Sequence, residues 1–154
     1  MFPKPARSLE KYLPLFNKLK RKVVLDYGSG NLRNSVYLYR KGYEVFAVDL
    51  PHRIKLNSIP RLTCIWPEDL HTMQTKVNLV ICTFVLNLVS PDNRPNLIAS
   101  MARKMNAGGF LLIETKGLSL HQIDRLILPN EFIRIHNHEG RYTVIALYQR
   151  GNTQ

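Results

Sequence analysis

The sequence predicts an α/β domain built on an open, doubly wound sheet that is mostly parallel and ends in an antiparallel hairpin. Three observations point there. Five short apolar runs alternate with stretches whose apolar residues recur at helical spacing. The first two runs each end in an aspartate, Asp26 and Asp49, just before a connection. Two alternating segments, 131–137 and 141–149, close the chain around Glu139-Gly140. Repeated βα units require a parallel sheet covered on both faces, and the final hairpin forces one antiparallel strand, which makes seven strands in all.

The elements follow in order. Residues 1–21 form a basic helical leader, with Leu9, Leu13, Phe16 and Leu19 at helical spacing, and residues 22–154 form the domain proper. Ser8 is placed to cap the leader helix, and Pro14 suits the first turn of a second one. Residues 22–26 are the first strand, ending in the turn Asp26-Tyr27-Gly28-Ser29-Gly30-Asn31. Leu32, Val36 and Tyr39 mark the next helix, which Gly42 closes. Residues 44–49 are the second strand, 51–58 a short helix or loop, and 62–65 the third strand. Residues 77–82 are the fourth strand, apolar on both faces. The strongest helical pattern runs over 91–106 and ends at Gly108-Gly109, before a fifth strand over 110–114. Leu120, Ile123, Leu126 and Ile127 mark a last helix before the hairpin.

Bulk properties narrow the class. A chain of 154 residues with 45% hydrophobic content buries a sizeable core as one domain. No apolar stretch is long enough to span a membrane, and the N-terminus lacks the apolar core of a signal peptide. Cys64 and Cys82 each lie in a strand-like run without metal-ligand spacing, which fits a reducing, cytoplasmic setting and no bound metal. The net charge is +11, and seven of the basic residues fall within the first 22 positions, opposed only by Glu10. Such a balance favours nucleic acid or another anionic substrate. The sequence leaves monomer and dimer open.

In an open α/β sheet, ligands bind beyond the carboxyl ends of the strands where the strand order switches. Gly28 and Gly30 let the backbone turn tightly and approach a ligand, and Asp26 is placed to accept from an ammonium. Asp49, 23 residues after Asp26, is placed for ribose hydroxyls, or else simply caps a helix. Trp66, Pro67, Glu68 and Asp69 follow the third strand, where an aromatic and acids could flank an adenine or merely start a helix. A dinucleotide fingerprint wants a third glycine where Arg33 stands, so a nicotinamide dehydrogenase fits less well.

The run VVLDYGSGNLRNSVYLYRKGYEVFAVDL resembles the first two motifs of class I S-adenosylmethionine-dependent methyltransferases, whose fold is Rossmann-like. ICTFVLNLVSPDNRPNLIASMARKMNAGGFLLIETKG resembles their fourth-to-fifth-strand segment, in the right order and spacing. The resemblance spans about residues 22–149. It implies S-adenosyl-L-methionine as cofactor. It places Asp26, Gly28, Ser29 and Gly30 around the methionine part, Asp49 and Leu50 at the ribose, and Trp66 to Asp69 on the adenine side. It puts Cys82, Thr83 and Phe84 beside the sulfonium. The usual acid after the third strand is replaced here by Trp66-Pro67.

The methyl acceptor is not written in these motifs. The segment Thr83-Phe84-Val85-Leu86-Asn87-Leu88 lacks the Pro-Pro-aromatic motif of amino-directed DNA methyltransferases and the Pro-Cys pair of cytosine-carbon chemistry. Lys116, His138 and Asn87 are candidates for acceptor binding or proton transfer. A small metabolite remains an alternative acceptor, and a cofactor- or nucleic-acid-binding module without catalysis an alternative function.

Overall fold

The computed structural model describes residues 3–50 and 58–151. Its strands are β1 (Val23–Tyr27), β2 (Glu44–Val48), β3 (Leu62–Ile65), β4 (Val77–Thr83), β5 (Met105–Lys116), β6 (Phe132–Glu139) and β7 (Thr143–Arg150). They form one sheet in the order β3-β2-β1-β4-β5-β7-β6. The first five strands are parallel, and β7 is antiparallel to both β5 and β6. This is the Rossmann-like, seven-stranded sheet with a C-terminal antiparallel hairpin that the alternation of runs predicts.

The helices are α1 (Arg7–Phe16), α2 (Arg33–Arg40), α3 (Arg94–Arg103) and α4 (Leu120–Ile127). Each sends a narrow apolar stripe onto the sheet. Leu9, Leu13 and Phe16 of α1 and Val36 and Leu38 of α2 join Val24, Val45 and Leu112 in the core on one face. Ile98 and Met101 of α3 and Ile123 and Ile127 of α4 join Leu25, Val80 and Ile113 on the other. Alternate residues of one strand feed opposite cores, which is why β1 and β4 read as continuous apolar runs. Among the described residues, no helix is long and apolar enough to cross a membrane.

Four local expectations fail. The leader holds one helix among the described residues, with Pro14 inside it, at a position in the final turn whose side chain faces solvent. Ser8 does not cap α1; the N-cap is Ala6, and Ser8 lies inside the helix, its hydroxyl donating to Glu114 Oε1 at 2.5 Å. The helix predicted over 91–106 is α3 preceded by a 3-10 turn, Pro91–Asn93. Gly108-Gly109 does not end it. β5 already begins at Met105, and its register against β4 shifts between Val77 and Leu79 as the glycines pass Asn78. A Cβ on Gly109 would lie 3.0 Å from the Asn78 carbonyl oxygen, so the strands need glycine to stay this close. The connection over 51–58 lies almost wholly outside the described residues.

Candidate functional site

The strand order switches between β1 and β4. The chain leaves β1 for β2 and β3 on one side and returns to β4 on the other. A crevice must open there, because successive connections depart to opposite faces. Gly28 sits at its floor with φ +76°, and Gly30 follows with φ +52°; both lie in the left-handed region where a side chain costs energy. The Gly28 and Ser29 N–H groups donate to the Val48 carbonyl at 2.7 and 3.0 Å, folding the loop against the tip of β2. The Gly30 N–H donates to Asp49 Oδ2 at 2.7 Å, and the Leu50 N–H donates to Asp49 Oδ1, also at 2.7 Å. One carboxylate thus joins two neighbouring strand tips while each oxygen keeps a lone pair for a further donor. The helix-cap alternative for Asp49 concerns residues 51–58, almost all of which lie outside the described residues.

The crevice has a volume of about 350 Å³, within the usual range for small-molecule sites. Tyr27, Val48, Leu50 and Pro67 line one side, and Phe84, Val85, Leu88 and Val89 the other. Asp49, 8% exposed, is the one charged side chain in this wall among the described residues. Phe84 holds φ +57°, unusual for an aromatic residue, and its N–H donates to the Glu114 carbonyl at 2.7 Å. A Cβ built on Gly28 would meet Val85 Cγ2 at 2.2 Å, so the crevice keeps its width only with a bare backbone there.

Asp26 lies outside this wall. It is buried, and Ser35 Oγ of α2 donates to its Oδ2 at 2.6 Å. Burial pushes its carboxyl up to about 6; the Ser35 hydrogen bond opposes this, and the nearby Asp49 charge adds to it.

Phe84 is also a wall of a second recess, of about 570 Å³, at the same end of the sheet. Its charged lining is Lys4, Arg7 and Glu10 of the leader, Arg33 at the start of α2 and Glu114 near the end of β5. The leader is fastened here by buried polar bonds. The Ala6 N–H donates to Asn34 Oδ1 at 2.8 Å, Asn34 Nδ2 donates to Thr83 Oγ1 at 3.2 Å, and Ser8 holds Glu114.

A family model described as a methyltransferase domain matches residues 1–151, nearly the whole chain. This chain belongs to the methyltransferase domain family. A curated relative from Haemophilus influenzae, a probable S-adenosyl-L-methionine-dependent methyltransferase TehB, is 28% identical over 98 residues, covering 58% of this chain. That match spans only 34% of the relative's length. A TehB-like SAM-dependent methyltransferase from Corynebacterium glutamicum superposes with a TM-score of 0.77 at 18% identity, over 95% of this chain and 89% of its own. The magnesium protoporphyrin IX methyltransferase of Synechocystis with bound SAM gives 0.76 at 20% identity, over 94% and 77%. At these identities the two structures speak to the fold.

For this family member, the residues singled out by sequence divide into two groups. Gly28, Asp49, Leu50, Pro67 and Phe84 line the crevice, with Ser29 and Gly30 in the loop beneath it. Trp66, 48% exposed, and Asp69 face a neighbouring groove beside β3 instead, and Glu68 is exposed. Pro67 starts a 3-10 turn that carries those acids away from the crevice. Cys82 is fully buried in the core, and burial pushes its thiol up to about 12, so it stays protonated and unreactive. Thr83 is buried, and its hydroxyl accepts from Asn34 Nδ2.

The three candidate catalytic residues do not converge. Asn87 accepts from Thr115 Oγ1 at 3.2 Å. Lys116 is exposed and lines neither cavity. His138 pairs with Ile145, which pairs with Glu114, which pairs with Thr83. Three strand spacings put it roughly 14 Å to the side. Sequence reading missed Val85, Leu88 and Val89 as crevice walls, and Arg33 and Glu114 as walls of the recess. Glu114 did carry a signal: an acid closing an apolar strand, the same feature that marked Asp26 and Asp49.

Proposed function

We propose that this chain binds S-adenosylmethionine in the crevice between β1 and β4 and transfers its methyl group to an acceptor at the same end of the sheet. The observation that carries the reading is Asp49. Among the described residues it is the one carboxylate in the wall, with free lone pairs, fixed by the Gly30 and Leu50 amides. Three features fit an adenosyl sulfonium. The carboxylate can accept ribose hydroxyls, the flat apolar sides formed by Leu50, Pro67 and Leu88 suit a purine, and the bare Gly28 leaves room for the ligand beside Val85. A further sign is Ser29 Oγ, which is buried with no hydrogen-bond partner among the described residues and would be satisfied by a polar ligand atom. Among the described residues the crevice wall holds no cation, which suits a positively charged sulfur. The relative from Haemophilus influenzae and the SAM-bound Synechocystis structure support the same choice of cofactor.

When bound, the cofactor supplies an electrophilic methyl on a cationic sulfur. The chain's own contribution is placement. Asp49 and the Gly28–Gly30 loop orient the donor, the apolar walls exclude water, and Phe84 separates donor from acceptor space. Methyl transfer needs chiefly an aligned nucleophile, and a base only where that nucleophile must lose a proton. The scatter of His138, Lys116 and Asn87 therefore does not argue against catalysis. Incubation with methyl-labelled cofactor and fractionated cell extract tests the proposal. Label appearing in an acceptor fraction supports an enzyme; saturable cofactor binding with no transfer to any fraction favours a binding module instead.

A further inference from the structure

A second recess lies beyond Phe84 and shares that wall with the crevice. Its lining is mixed in sign. Lys4, Arg7 and Arg33 face it together with Glu10 and Glu114, and among the described residues no ion pair within 4.0 Å joins any of them. Glu114 is the buried member, 8% exposed, with Oε1 taken by Ser8. Cations and carboxylates that line one space without satisfying each other are complementary to a molecule that carries both charges itself.

We propose that this recess is the acceptor site and that it takes a small zwitterion, an amine and a carboxylate in one molecule. The inference rests on the cofactor reading above, because the methyl must arrive past Phe84. The carboxylate pairs with Arg7, Arg33 or Lys4, and the ammonium lies at Glu114. Glu114 takes one ammonium proton and frees the nitrogen lone pair. That pair forms the new N–C bond as the S–C bond breaks and its electrons go to sulfur, leaving a thioether. The methylated product departs as an ammonium, and Glu114 returns its proton to water.

The leader's placement argues against nucleic acid. Lys4 ahead of α1 and Arg7 at its first position line the recess, but Lys18, Lys20, Arg21 and Lys22 lie between α1 and the start of β1, at the opposite end of the sheet. The basic residues that cluster in the sequence are thus split between two ends of the molecule, with no shared track past the site.

Two measurements on the full chain test this. The first is calorimetry with S-adenosylhomocysteine on wild type, Arg7→Gln and Asp49→Ala. The second is transfer from methyl-labelled S-adenosylmethionine to a pool of free amino acids, and separately to RNA and DNA. Arg7 is exposed, so its replacement leaves folding intact. Arg7→Gln is expected to bind S-adenosylhomocysteine within twofold of wild type while losing at least tenfold in transfer to the amino-acid pool. The proposal is overturned if Arg7→Gln weakens S-adenosylhomocysteine as Asp49→Ala does, since the recess would then hold the cofactor's own amino-acid end. It is also overturned if wild type binds S-adenosylhomocysteine but labels nucleic acid, or leaves the amino-acid pool unlabelled. Failure of wild type to bind S-adenosylhomocysteine at all removes the cofactor reading itself, a different result.

Discussion

Replacing Gly28 with alanine puts a number on the claim that bare backbone sets the width of the crevice. Two costs separate cleanly. The first is conformational: a left-handed φ of +76° costs an alanine about 1 kcal/mol or somewhat more. The second is steric. The new Cβ would stand 2.2 Å from Val85 Cγ2, and ordinary carbon contact is about 3.7 Å, so the methyl must retreat by about 1.5 Å. Forcing Val85 off its rotamer adds about 1 kcal/mol and pushes its side chain about the crevice. Gly30→Ala is the internal control. Its φ of +52° carries the first cost, but its nearest neighbours, the Gly28 carbonyl at 3.9 Å and Asp49 Oδ2 at 4.0 Å, impose no second. Urea denaturation and S-adenosylhomocysteine titration of the two variants should show Gly30→Ala down by about 1 kcal/mol in stability and Gly28→Ala by about 2, with weaker ligand binding in the latter. Trimming Val85 to alanine in the Gly28→Ala background leaves only Val85 Cβ, 3.5 Å away, so the second cost should vanish. Equal losses in the two single variants, or no recovery in the double variant, would refute the reasoning.

Two further outcomes follow from the geometry. Asp26 is pushed up to about 6 from 3.8, so the native state binds its proton more tightly than the unfolded chain does. Its stabilising contribution is present below about pH 4 and lost as pH rises through about 6. Asp26→Asn, which can still accept from Ser35, removes that dependence. Its stability should gain on wild type by up to about 3 kcal/mol between pH 4 and 6.5, read from urea melts at each pH, and a pH-independent gap would contradict the burial argument. Ser119 caps α4, accepting from the Gln122 N–H at 3.1 Å while the Gln122 side chain accepts from the Ser119 N–H at 2.8 Å. Ser119→Ala should cost about 1 kcal/mol in a thermal or urea melt and leave S-adenosylhomocysteine affinity unchanged.

The sheet was legible because each buried strand had to be apolar on both faces, and each βα turn had to end in residues suited to a turn. Asp26 and Asp49 illustrate both the reach and the limit of that logic. The same signal, an acid at a strand tip, marks one residue that faces the crevice and another that turns beneath it toward Ser35. Only the direction of the side chain distinguishes them, and strand parity relative to the loop is decided in three dimensions. The leader shows a different limit. Helical spacing gave its apolar face, but the pairing of Ser8 with Glu114 crosses 106 positions, and no local pattern encodes it. Likewise, β5 begins early because two glycines let it slide past Asn78, whereas glycine pairs ordinarily mark a break. The proposed catalytic residues scattered because they shared only one end of the sheet, and an edge seven strands wide holds more than one site.

The most direct measurement is calorimetric titration of S-adenosylhomocysteine into the wild-type chain and Asp49→Ala. Saturable binding to wild type, weakened about 10- to 100-fold in the variant by loss of a charged hydrogen-bond acceptor, is the expected result. Equal affinity in both proteins would mean that the nucleoside sits elsewhere, and the tips of β1 and β2 would lose the role assigned to them.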